Sequence, residues 1–471
     1  MLNFKKRAIF IIFIIFIVFF SFPHVFSEEN TSSKNISISN NDSIQKTINN
    51  SVENSIVELE PGIYVESGII INKNITIIGK GSRGDVIIDG NHSNTIFIIS
   101  TNKVHVNFIN ITFINGISSG HGGAIHSEAG NLYVDNCVFI NNTASENGGA
   151  IDNYGGETIG GYLFVNNSLF IGNYAGHDGG AITTYRGNTD IFNSIFINNS
   201  AKRDGGAIRG GIYTKTNIYN CTFDNNYAEE WGGAVYIWTS NSSIKNSTFI
   251  NNNAGTYGGA ILTSGETIVK GSIFANNSAK YGGLVYIVQK LQYTPLKIVF
   301  NNNLIFNNSA TYGGDDVYMG NAIYVPYSPL NIINFENNNW GTDNPNWAKR
   351  FFTNNFTNFP INWIKSTGNI LNPNNNNTYQ ENGDQIDNSF DKSLEGIFDS
   401  IVKNYLKNNN IGSNNTDPKS PGIDSSKAQN QEVYELNIID EVKKIYNNDF
   451  INYIIAIILI VAIVIGYKQF K

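Results

Sequence analysis

Along residues 113–314 the apolar positions fall in short runs rich in Ile, Val and Phe, each closed by Asn, Ser or Gly. The stretch Ile191-Phe-Asn-Ser-Ile-Phe-Ile alternates loosely, and Ala-Ile or a relative follows each of a series of glycine pairs: Ala124-Ile125, Ala150-Ile151, Ala234-Val235, Leu284-Val285. Short β-branched runs bounded by turn residues predict strands, not helices. One full unit is Ser194-Ile-Phe196-Ile-Asn-Asn199-Ser-Ala201-Lys-Arg-Asp-Gly205-Gly206-Ala207-Ile208, and its glycine pair recurs eight times, at steps of 26, 31, 26, 27, 26, 24 and 31 residues. A fixed period in this range is the signature of a solenoid, in which each unit buries its apolar face against its neighbours. A unit of this length with two to three strands matches one turn of a parallel β-helix. Leucine-rich repeats need a leucine ladder that is absent, and propeller blades need about 40 residues. The expected fold is all-β: a right-handed, single-stranded parallel β-helix.

Stacked turns place equivalent residues in columns along the axis. Phe113, Phe139, Phe170, Phe196, Phe223, Phe249, Phe274 and Phe306 form the expected core file. Three residues after the first six repeat phenylalanines that follow Phe113 come Asn142, Asn173, Asn199, Asn226, Asn252 and Asn277, whose carboxamides can hydrogen-bond up and down the stack. Two residues further on, Ala144, Ala175, Ala201, Ala228, Ala254 and Ala279 predict a tight corner, and the glycine pairs predict a second corner with positive φ or close backbone approach. The two cysteines, Cys137 and Cys221, share a column with Ser168, Ser194, Ser247 and Ser272 and stand three coils apart. At ~4.8 Å per coil that is about 14 Å, twice the disulfide limit, so both are expected as free, buried thiols.

Charged residues make up 15% of the chain and the net charge is −7, which supplies no basic stripe for nucleic acid. Lys5, Lys6 and Arg7 followed by the apolar run Ala8 to Phe20 predict a secretory signal peptide over 1–27. A polar lead-in follows over 28–50, then coils over 51–364, and then an Asn-rich linker with short amphipathic helices over 365–449. The apolar run 450–467 is long enough to cross a membrane, and the tail 468–471 with Lys468 and Lys471 is expected on the cytoplasmic side. The localisation expected is the cell surface, with a single pass and the coils outside. Asn-x-Ser/Thr sequons at Asn74, Asn110, Asn141, Asn198, Asn220, Asn246 and Asn276 make glycosylation at exposed sites plausible, with those in the Asn ladder expected to be partly buried.

Two sets of residues carry candidate chemistry. Asp178 and Asp204 each precede a glycine pair on successive coils, in a column otherwise holding His121, Asn147, Trp231, Tyr257, Tyr281 and Tyr312. They are candidates for an acid/base pair or a Ca²⁺ site. Solvated turn aspartates are the plainer alternative. The second set lies four and six residues after the first glycine. Period-two alternation puts both positions on one outward face. The face carries Tyr154, Tyr185, Tyr236, Trp238 and Tyr286 beside Asp152 and Arg209, with His126 at its head. Such a strip suits sugar rings or a protein partner, while cross-strand stacking alone would account for it structurally. No metal-ligand cluster, Ser-His-Asp order or nucleotide motif is present in the sequence, so no resident cofactor is expected.

Phe-x-x-Asn followed by Gly-Gly-Ala-Ile resembles the repeat of the chlamydial polymorphic membrane proteins. It is still more similar to the Asn- and Thr-rich adhesin-like surface proteins of methanogenic archaea. Val57-Glu-Leu-Glu-Pro-Gly-Ile-Tyr64 and Ile75-Thr-Ile-Ile-Gly79 look like the opening coils of pectate-lyase-like β-helices, and Asn337-Asn-Asn-Trp340-Gly341 resembles the closing motif of the archaeal proteins. The resemblance implies a membrane-anchored adhesin-like protein binding glycans or a cell-surface protein of another cell. The alternative is a polysaccharide lyase or glycoside hydrolase on the same β-helix, centred on Asp152, Asp178, Asp204 and Arg209.

Overall fold

The computed structural model describes residues 34–362, apart from 102, 129, 156–160, 239–240, 289–296, 321–331, 343–344 and 354–360. The expected signal peptide, linker helices, membrane span and tail lie outside the described residues. Among the described residues no helix is long and apolar enough to cross a membrane.

The chain winds through four parallel sheets. A representative coil passes through Asn188–Phe192 in sheet 1, Ile195–Ile197 in sheet 2, the two-residue strand Ser200–Ala201 in sheet 3 and Ile208–Gly210 in sheet 4. Repetition gives these sheets 13, 10, 8 and 11 strands, the arrangement of a parallel β-helix. Register is strict: Phe139 pairs with Phe170, Phe170 with Phe196 and Phe196 with Phe223. From Phe113 to Phe274 the rings stack at centroid distances of 4.6–4.9 Å with interplanar angles of 14° or less. That separation is the strand spacing itself.

Each corner has its own residue. Between sheets 1 and 2, Asn193 takes φ 48° and the Ser194 hydroxyl donates to the Phe192 carbonyl while accepting from the Ser168 N–H. Cys137 and Cys221 fill this column as free, buried residues, and burial pushes both thiols up to about 12. Between sheets 2 and 3, Asn198 takes φ 54°, and Asn199 turns its carboxamide inward. Asn and Gly enter this left-handed region at least cost. The Asn199 Nδ2 donates to the Phe170 carbonyl (3.0 Å) and to Asn226 Oδ1 (3.0 Å), and its own Oδ1 accepts from the N–H and Nδ2 of Asn173. This rung repeats from Asn142 to Asn308, which ends on Asp316 Oδ1 at 3.0 Å. At the glycine corner, a Cβ on Gly206 would lie 2.0 Å from the Gly233 carbonyl, so no side chain fits there.

Three expectations are corrected. Phe306 is not in the core file: Ile305 pairs with Phe274 and is fully buried, because Ile305, three residues before the rung residue Asn308, holds the core position of this unit. The unit's one extra residue enters only later, between Ala310 and Gly313. Its glycine equivalent to Gly282 is therefore Gly314, and Gly313, not Tyr312, occupies the position before it. Asn35–Ile38, assigned to the lead-in, is the first strand of sheet 1. It is followed by a helix, Ile44–Asn50, capped by Ser43, that buries Ile44 and Ile48 over the first coil. At the other end Asn338 accepts from Asn303 and donates to the Phe300 and Phe335 carbonyls, while Trp340 packs edge-on against Trp347 and Phe351.

Replacing Asn226 by Ala removes the acceptor of the Asn199 N–H, one of the two acceptors of Asn199 Nδ2, and the side-chain donor to the Phe196 carbonyl and Asn252 Oδ1. Urea unfolding of N226A should show a loss on the order of 4 kcal/mol, whereas N225G, at the adjacent turn position, should stay within about 1 kcal/mol of the parent.

Candidate functional site

The turn through each glycine pair folds the residue before the pair onto the residue five positions later. Gly205 (φ 66°) makes this turn so tightly that a Cβ there would lie 2.3 Å from the Ile208 carbonyl. The two columns treated as separate surfaces are therefore two sides of one seam. Across it His121 stands 5.8 Å from His126 (ring centroids) and Thr183 Oγ1 donates to the Asp178 carbonyl at 2.7 Å. Further along, Trp231 meets Tyr236 at 6.0 Å, Tyr257 meets Tyr286 at 4.4 Å and Tyr281 meets Tyr318 at 5.0 Å. Pairing holds the outward column in register: His126, Asp152, Thr183, Arg209, Tyr236, Leu262, Tyr286 and Tyr318.

The seam changes character along the axis. Its early coils are charged. His126 Nδ1 lies 3.1 Å from Asp152 Oδ2; burial opposes protonation of this ring, but the Asp152 contact and the Glu128 charge outweigh it, so the His126 pKa is raised. Asp178 is 1% and Asp204 4% exposed, so neither is a solvated turn aspartate. Arg203 clamps Asp178 bidentately, Nε to Oδ1 at 2.8 Å and Nη2 to Oδ2 at 2.6 Å. Arg209 Nε lies 3.4 Å from the same carboxylate, an ion pair by distance without hydrogen-bond alignment. With Asp178 taken by one guanidinium and a second close by, the Ca²⁺ expectation for Asp178 and Asp204 does not fit this geometry. Asp204 keeps an unpartnered Oδ1. Burial, followed by the charge of Asp178, pushes its pKa up to about 7, against the pull of Arg203 and Arg209.

The later coils are aromatic. Tyr236 is wholly buried beneath Trp231 and Trp238, which removes it from the expected exposed strip: the glycine turn closes over its position. Tyr154 (38% exposed) and the half-buried Tyr185 stack at 5.3 Å and 7°. Rings stacked coil over coil turn their faces to one another, so this strip offers edges and phenolic hydroxyls. Tyr286 stacks on Tyr318 and tilts across Tyr257. Trp238 stays partly open at the rim.

Arg203 was missed from the sequence. Its partner is one coil back, and its only signal is a cation 25 residues after Asp178. A second outward aromatic file on sheet 1, Tyr133, Phe164, Phe192 and Tyr219, was also missed. Its rings stack at 4.9–5.5 Å, but they come from two neighbouring rows and so show no fixed spacing.

The model of the Chlamydia polymorphic membrane protein repeat matches residues 136–154, 193–211 and 220–237. Each matched segment runs from the sheet 1–2 corner through the ladder and the glycine turn into sheet 4. The chain thus carries repeats of this type. No curated protein matches it. Among solved structures it is similar to the PL6 family alginate lyase AlyGC, with 13% identity, 68% of this chain and 53% of that one covered, and a TM-score of 0.33. It is also similar to a mannuronic acid specific family 6 polysaccharide lyase from human gut microbiota (11% identity, 81% and 100% covered, TM-score 0.29). A third is ORF18 of Geobacillus virus E2 (16%, 52% and 57%, TM-score 0.25). The chain spans about half the length of the first of these. At such similarity nothing of substrate or reaction transfers.

Folded Asp204 holds its proton to about pH 7, while an unfolded aspartate sheds it near 3.8. The folded chain therefore carries the extra proton between those values, and the associated stability is full at low pH and lost as pH rises through 7. Asp224 and Asp316, both pushed up to about 6 by burial, act in the same direction at lower pH. Thermal unfolding of D204N should fall less between about pH 5 and about pH 8 than that of the parent; identical slopes would contradict the raised pKa.

Proposed function

We propose that the chain is a cell-surface adhesin-like protein that binds glycans or a cell-surface partner through the seam at its glycine turns. One observation carries this reading: the column from His126 to Tyr318 is held in register over successive coils, and beside its buried members it leaves the Tyr154–Tyr185 stack, Arg209, Trp238 and Tyr286 open to solvent at least in part. A repeating ligand lying along the axis meets a repeating set of contacts, and many modest contacts add without any single deep pocket. Tyr154, Tyr185, Arg209, Trp238 and Tyr286 are the residues that meet it, and Asp152 is held in place by His126. Tyr236 supports Trp238 from below. Phenolic hydroxyls, ring edges and a guanidinium suit a hydroxyl-rich ligand.

Display outside the cell rests on the apolar run Ala8 to Phe20 behind three cationic residues, on the run 450–467 with its lysines, and on the membrane protein repeat. In this reading a single C-terminal span holds the coils at the surface of a one-membrane cell such as that of an archaeon. A polysaccharide lyase or glycoside hydrolase is the second reading. One feature favours it: Asp204 keeps a proton near neutral pH, as a general acid must. The bidentate clamp on Asp178 takes it out of the role of a free carboxylate base.

A glycan array probed with the full chain tests both. Binding should weaken about tenfold in Y185A or W238A and persist in D204N, with no polysaccharide shortened by the parent. Cleavage by the parent that disappears in D204N would transfer the seam to the enzymatic reading.

A further inference from the structure

The corners on either side of sheet 2 carry columns of left-handed residues. Between Asn110 and Asn307 all of these are asparagine except Gly172, in the sheet 2–3 corner, and Gly271, in the sheet 1–2 corner. Each glycine stands one coil beyond an asparagine that opens an Asn-x-Thr tripeptide: Asn141-Asn142-Thr143 precedes Gly172, and Asn246-Ser247-Thr248 precedes Gly271. A Cβ on Gly172 would lie 2.6 Å from Asn141 Oδ1, and one on Gly271 would lie 2.5 Å from Asn246 Oδ1. The missing side chains thus clear the space directly beside these two carboxamides.

Other asparagines that open an Asn-x-Ser/Thr tripeptide are differently placed. Asn110 Nδ2 donates to the Gly79 and Gly81 carbonyls (2.8 and 3.1 Å), Asn166 Nδ2 to Asp135 Oδ1 (2.9 Å) and Asn220 Nδ2 to Asn193 Oδ1 (2.7 Å). The side chains of Asn141 and Asn246 are exposed, and neither makes a hydrogen bond within the described residues. In both, the buried rung or serine column uses the following residue, Asn142 or Ser247, so the tripeptide's first asparagine is left for solvent. Of the ladder sequons, Asn198 and Asn276 are partly buried as expected, while Asn141 is exposed.

We propose that Asn141 and Asn246 are N-glycosylation sites, and that Asn110, Asn166 and Asn220 are not. The step joins Asn Nδ2 to C1 of a sugar. The C1–O bond to a lipid-phosphate-linked oligosaccharide donor breaks, the lipid phosphate leaves with that electron pair, and Nδ2 gives up one proton. Asn-x-Ser/Thr is the acceptor sequence for this transfer in exported chains. A glycan at Asn110 must break one of its two bonds to the neighbouring coil, and at Asn166 or Asn220 it must be carried by an amide nitrogen whose one remaining N–H stays tied to the coil before, whereas at Asn141 and Asn246 it disturbs no bond. The proposal rests on the chain being exported.

Mass spectrometry of glycopeptides from the full chain, purified from the cells that produce it, tests this. Glycan is expected on the Asn141 and Asn246 peptides and absent from those of Asn110, Asn166 and Asn220. G172N should lower occupancy at Asn141 several-fold and leave Asn246 unchanged; G271N should do the reverse. Both tolerate the left-handed turn, because asparagine fills it elsewhere in the column. Bare Asn141 and Asn246, or equal occupancy at Asn220, overturns the proposal. Surface biotinylation of intact cells shows which idea has failed: a labelled chain without glycan leaves surface display standing and removes only these sites.

Discussion

A buried carboxamide that bonds to its equivalents and to the backbone one coil away holds this structure in register. Each ladder asparagine has two donors and one doubly accepting oxygen, and the coil on either side satisfies all of them. A buried polar group left without a partner costs far more than a made bond returns, and the low dielectric of the interior sharpens that difference. A slip of one residue at any coil would empty a rung. The phenylalanine file, three residues away in the sequence, is therefore carried into alignment by the ladder, and the spacing of its rings follows the strands. In the eighth unit the rung from Asn277 to Asn308 survives while the core position three residues before it is taken by Ile305 and not by a phenylalanine.

The seam follows from the same alignment through a different residue. Because Gly206 and its equivalents pass within contact distance of the next coil's backbone, the chain turns without side chains there. The flanking residues are folded onto each other. This brings Asp178, Arg203, Asp204 and Arg209 into one partly desolvated cluster and closes Tyr236 under its neighbours. A single glycine corner thus produces charged coils, then aromatic coils, from sequence variation at the few positions that flank it in each unit.

Columns at constant spacing were legible in the sequence: the phenylalanines up to Phe274, the ladder asparagines, the corner alanines and the shared site of Cys137 and Cys221. Constant spacing is what a stacked coil converts into contact. Features that depend on the path between columns were not legible. Period-two alternation places Tyr236 and Tyr185 outward, and it does so correctly; the covering of Tyr236 depends on the turn, which the period does not describe. Arg203 meets Asp178 on the previous coil, a neighbour that only register reveals. Asn35–Ile38 joins sheet 1 without any repeat motif, because an edge strand needs a partner on one side alone. The left-handed asparagines were hidden by their ladder neighbours, since Asn-Asn pairs give no hint of which residue turns inward.

Hydrogen exchange resolved at the side-chain amides is the most direct test of the ladder. On this account the Nδ2 protons of Asn173, Asn199 and Asn226 exchange only through global unfolding, as slowly as the backbone amides of Phe170 and Phe196, while those of the neighbouring Asn141 and Asn246 exchange freely. Free exchange at Asn173, Asn199 and Asn226 in the folded protein would contradict the ladder as the element that fixes the coils.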